Sequence, residues 1–168
     1  MSAGAAVLSV VLLGGCSGGG GDMQATAPVE SAVAIQAGRS FAPDIAAAAV
    51  YAEIGGDNIR RIMGEELYEV FGLESGSFVL AVGYNSEVAG GLRDLVIVRP
   101  APEMEETVRE ALNNYIALQV SAFRNYDIRG SYAIASGAVV FNQGEYLVML
   151  MLPDNESART VLDRYLPG

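Results

Sequence analysis

A two-layer α+β domain, a sandwich of a mostly antiparallel four-stranded sheet and one long helix packed across it, is the fold the sequence predicts, on three observations. Residues 103–126 carry apolar side chains at Met104, Val108, Ala111, Leu112, Tyr115, Leu118, Ala122, Phe123 and Tyr126, spaced by three and four. That period marks an amphipathic helix. Strand-like runs come in two pairs, 78–82 with 95–98 and 133–141 with 146–152. The second pair flanks Asn142-Gln143-Gly144-Glu145, a hairpin turn in which Gly144 can take positive φ. Elements in this order bury one sheet face under helix.

The remaining elements follow along the chain. Residues 1–15 read as a signal peptide, 16–40 as a flexible tether and 41–168 as the single folded domain. Pro43 and Asp44 suit a helix start, and Gly55-Gly56-Asp57 stops the Ala-rich run 45–54. A short helix over 65–71 is closed by Gly72, and Gly83 and Gly90-Gly91 punctuate the next segment. Pro100 and Pro102 end the second strand, and Glu103, Glu105 and Glu106 fall in the first turn of the long helix, where the dipole favours acids. Pro153-Asp154-Asn155 opens a last helix with Ala158, Val161, Leu162 and Tyr165 on one face. The run 146–152 is apolar at both parities, so both sheet faces need cover. The smaller flanking helices can supply it, or one face is apolar surface for a partner.

Cys16 is the only cysteine of the chain and ends an apolar run over 5–13. That run is shorter than the about 20 residues a membrane-spanning helix needs, and it suits the apolar core of a secretory signal. Leu13-Gly14-Gly15-Cys16 resembles the bacterial lipobox, whose cysteine is lipidated and becomes the mature N-terminus. The expected address is therefore the extracytoplasmic face of a bacterial cell membrane, with the bilayer reached through lipidated Cys16. Ser17-Gly18-Gly19-Gly20-Gly21 begins the tether that holds the domain away from the headgroups.

Composition prunes the chemistry. Acids outnumber bases 20 to 10, giving a net charge of −10, and every basic residue is arginine. Such a surface repels phosphate backbones, so nucleic acid is not an expected partner. Histidine and lysine are absent, which excludes His-dependent triads, ordinary zinc sites, Schiff bases and phosphate-loop lysines. No cofactor or metal is expected.

Gln119-Val120-Ser121-Ala122-Phe123-Arg124-Asn125-Tyr126, followed by a hairpin turning at Gly144-Glu145-Tyr146, resembles the signature of an uncharacterised bacterial lipoprotein family. Its members combine a lipobox, a low-complexity tether and one domain of unknown function. Leu92-Arg93-Asp94-Leu95-Val96-Ile97-Val98 is similar to that family's first core strand. The resemblance covers residues 54–152 and implies no known activity. Ile128 stands where the family pattern has proline, and the lysines usual in such proteins are missing.

Read physically, Gln119, Phe123 and Tyr126 lie at i, i+4 and i+7 and share one helical face. They form either a core stripe, with Phe123 buried mid-face, or a small polar cluster that binds a ligand. Asp94 and Glu145 are isolated acids with no partner visible in the sequence, so their joint replacement is expected to leave the fold nearly intact. These readings point to a non-catalytic binding or interaction module for an unidentified protein or small molecule. The competing reading is a small cell-envelope hydrolase that assembles a carboxylate pair from distant positions.

Overall fold

The structure, a computed structural model, describes residues 42–56 and 58–166. Cys16, the signal and the tether fall outside the described residues. In chain order the elements are α1 (Ala42–Ile54), β1 (Ile59–Ile62), α2 (Glu66–Phe71), β2 (Phe78–Ser86), β3 (Asp94–Pro100), α3 (Glu105–Phe123), α4 (Ser131–Ser136), β4 (Val139–Gln143), β5 (Tyr146–Met151) and α5 (Asn155–Tyr165). The fold is α+β, with one antiparallel sheet in the order β1-β2-β3-β5-β4.

Two features of the expected fold need correction. The sheet has five strands rather than four, because Ile59-Arg60-Arg61-Ile62 pairs along β2, with Ile59 opposite Ser86 and Ile62 opposite Gly83. Two adjacent arginines hide that strand from any apolar pattern. Each is held by a carboxylate, Arg60 by Glu66 and Arg61 by Asp44. There are also three layers rather than two. Ile62, Ala81, Val96, Val98, Leu147, Met149 and Met151 pack under α2, α3 and α4, while Val82, Tyr84, Leu95, Ile97, Val148 and Leu150 pack under α1 and α5. Helices thus cover both faces, which explains why β5 is apolar at both parities.

Local sequence sets most element ends. In α1, Pro43, Ala46, Ala47 and Val50 are buried as one stripe. Gly72 closes α2 in the left-handed conformation at φ 71°, a position that favours glycine. Asp154 caps α5 by accepting the Ser157 N–H at 2.9 Å. Gly83 does not end a strand but lies inside β2, because the Phe71 ring rests on it. A Cβ there would stand 2.3 Å from Phe71 Cε2.

Three other boundaries moved. Residues 133–136 are helical within α4, where Gly130 at φ 75° reverses the chain and the Gly137 N–H closes on Ala133 O. The long helix ends at Phe123, since residues 124–127 are all exposed and no core lies beneath them. At its other end, Glu103 has φ 66° and stands outside the helix, leaving Glu105 and Glu106 in the first turn.

Candidate functional site

The expected signature is not assembled. Gln119 and Phe123 are half-buried on α3, and Phe123 packs against the edge of the core. Tyr126 lies three residues beyond the helix and is 74% exposed. A buried stripe through Tyr126 required the helix to continue to that residue, so the three side chains do not form one core stripe. Cys16, the expected lipidation site, is outside the described residues.

Asp94 and Glu145 are not isolated either. Glu145 meets Arg99 across the surface at 3.2 Å. Asp94 is 2% exposed, and Tyr115 Oη donates to its Oδ2 at 2.6 Å. Burial pushes the Asp94 carboxyl up to about 6, against the opposing pull of the Tyr115 phenol and the backbone amides of Arg93 and Ser86. Burial and the neighbouring carboxylate raise the Tyr115 phenol too, so it stays a donor. The Tyr115 ring packs edge-on to Phe71, with centroids 4.9 Å apart and planes at 71°. A buried acid at the start of a strand had no visible partner because that partner sits 21 residues away on α3.

On the opposite sheet face, Asp44 accepts two hydrogen bonds from Arg61, Nε at 2.8 Å and Nη2 at 2.7 Å, and a third from Tyr84 Oη. Tyr51 packs edge-on to Tyr84 and donates its hydroxyl to Arg93 O at 3.0 Å. Together these tie α1 to β1, to β2 and to the residue preceding β3, a structural task that occupies three acceptor positions of the Asp44 carboxylate. Sequence reasoning read Asp44 only as a helix-start residue.

Concave surface is left in two regions that matter. The first is an open groove of about 510 Å³ between α2 and α3, with Tyr115 in its wall. Its lips are Tyr68, 59% exposed, and Leu118, 68% exposed. Glu69, Glu74 and Glu110 line it, and none is ion-paired among the described residues. A second depression of about 670 Å³ lies on the other side of Tyr68 and shares Glu69 and Glu74. Tyr68 therefore stands as a ridge between two acid-lined hollows. The second region is a cleft of about 620 Å³ by the end of β2 and the start of β3, lined by Gly55, Ser86, Gly91, Arg93 and Arg129.

Neither region forms a metal centre: among the described residues no three His, Cys, Asp or Glu side chains could hold an ion together. Among those residues no helix is long and apolar enough to cross a membrane. The groove residues Tyr68, Glu110 and Leu118 were missed from sequence, where Leu118 counted as one more apolar position of the long helix.

Fold and surface together define a three-layer α+β domain with an acid-lined groove beside its longest helix. The chain belongs to the family described as a domain of unknown function (DUF4358), which matches residues 53–152. That span runs from the end of α1 through β5 and includes the groove. No curated protein and no solved structure matches the chain.

Proposed function

We propose that this protein is a non-catalytic binding module, lipid-anchored through Cys16 on the extracytoplasmic face of a bacterial membrane. Its α2–α3 groove takes a cationic partner with an apolar face. The anchor reading rests on the signal-sized apolar run ending in Leu13-Gly14-Gly15-Cys16. The binding reading rests on one observation: exposed Tyr68 and Leu118 border a groove whose charged lining, Glu69, Glu74 and Glu110, is wholly acidic. Apolar walls with a few placed polar groups are the usual make-up of a ligand site, and the volume falls within the usual range of about 300–1,000 Å³. Unpaired carboxylates beside exposed apolar side chains complement lysine or arginine set among apolar residues.

The test is calorimetric titration of the full chain with a basic amphipathic peptide of alternating lysine and leucine. Saturable binding that Tyr68→Ala and Leu118→Ala each weaken about tenfold supports the groove. Both substitutions leave the net charge unchanged, so equal binding by wild type and variants would reduce the effect to non-specific attraction and remove the proposal.

The hydrolase reading retains one observation of its own: Glu69 and Glu74 reach the groove from the α2 side and Glu110 from α3. Turnover of a cell-wall glycan, peptide or ester that disappears in Glu110→Gln would favour it.

A further inference from the structure

The arginine cleft runs against the charge of the whole molecule. Acids outnumber bases 20 to 10, and the two hollows flanking Tyr68 are each lined by three glutamates. The cleft beside β3 is lined by two arginines and, among the described residues, by no acid. Four described arginines, Arg60, Arg61, Arg99 and Arg109, are bound to carboxylates. Arg93 and Arg129, like Arg124, Arg159 and Arg164 elsewhere on the surface, make no ion pair with a carboxylate among the described residues, and of these five only Arg93 and Arg129 line the cleft. Arg93 is also held in place. Its Nη1 donates to Gly55 O, and its carbonyl accepts the Tyr51 hydroxyl at 3.0 Å. One guanidinium hydrogen bond is thereby used and four N–H donors remain. Ser86 Oγ already accepts the Val88 N–H at 3.1 Å, which leaves its own hydrogen to donate into the cleft. A pre-positioned planar guanidinium, a second arginine in the same lining and a hydroxyl donor match the needs of an oxyanion, because guanidinium binds carboxylate and phosphate through paired parallel hydrogen bonds.

We infer that this cleft is a small-molecule oxyanion site, in which Arg93, Arg129 and Ser86 hold a carboxylate or phosphate group. The site is independent of the α2–α3 groove and lies at the opposite end of β2 from Ser77, which lines that groove.

The experiment is an amide-resolved NMR titration of the full chain with inorganic phosphate and, separately, with succinate, each against sodium chloride at matched ionic strength. The expected result is saturable shifts at the amides of Gly55, Ser86 and Gly91 with at least one probe, weakened about tenfold by Arg129→Gln. Tyr68→Ala, in the groove, is expected to leave this binding unchanged. A preference for phosphate identifies a tetrahedral anion, and the reverse identifies a dicarboxylate. Arg129 is exposed, so its replacement tests the site even where Arg93→Gln perturbs the fold. Shifts no larger than those from chloride, or Arg129→Gln binding as tightly as wild type, would overturn the inference.

Discussion

Replacing Asp94 with asparagine is expected to change how stability depends on pH, and the size of the change follows from the buried pair. The Asp94 carboxyl rises from the usual 3.8 to about 6 in the folded protein, chiefly through burial. With the folded value above the unfolded one, the stabilising contribution of the protonated acid is complete below about pH 4. It is lost as the pH climbs through about 6. At about 1.36 kcal/mol per pH unit the whole loss is about 3 kcal/mol, and roughly half of it falls between pH 5 and pH 7.5. Solvent screening does not discount this figure, since Asp94 is 2% exposed. Glu105 and Asp154 act in the opposite sense. Hydrogen bonds from Asn142 and Arg109 lower the first, and the Ser157 amide and hydroxyl lower the second, so their stabilisation is lost as the pH falls. The whole-protein curve is therefore a sum, and only the difference between wild type and Asp94→Asn isolates the buried acid. Urea unfolding followed by circular dichroism should show wild type losing about 1.5 kcal/mol relative to Asp94→Asn from pH 5 to pH 7.5. Parallel stability curves for the two proteins would refute the assignment of a raised, buried Asp94.

Three further outcomes are expected. Gly83→Ala forces a Cβ to within 2.3 Å of Phe71 Cε2 and should cost about 1–3 kcal/mol; Phe71→Leu in the same chain should recover part of that loss, and additive losses in urea unfolding would show that the contact is not the cause. Phe123 is half-buried at the last residue of α3, so Phe123→Ala should cost about 1–2 kcal/mol, against about 2–5 kcal/mol for Leu112→Ala at a fully buried position of the same helix. Mass spectrometry of membrane-extracted protein should find Cys16 as an acylated N-terminus lacking residues 1–15, and an intact Met1 with a free thiol would contradict the anchor.

The sequence reveals elements where a local pattern and a local breaker coincide. The period of residues 103–126, the hairpin glycine Gly144 and the capping Asp154 each mark a boundary within a few residues of the chain. What it conceals depends on contacts between distant residues. The strand Ile59–Ile62 is held by pairing to β2 and by carboxylates on two helices, so its arginines look like loop. Gly83 looks like punctuation until the Phe71 ring is placed on it. Asp94 looks solitary because its partner Tyr115 comes from α3, and Tyr126 looks buried only if the helix continues three residues further than the core beneath it. The groove is hidden for the same reason: Tyr68, Glu110 and Leu118 belong to two helices brought side by side only in the folded chain.

The most direct measurement of the central claim, that the α2–α3 groove is the binding surface, is an amide-resolved NMR titration of the full chain with the lysine–leucine peptide. Tyr68, Glu69, Glu110, Asn114 and Leu118 all belong to that groove. The account predicts saturable shifts concentrated at these residues, weakening as salt screens the three glutamates. Shifts spread over α1 and α5, or no saturation while the peptide remains in excess, would contradict it.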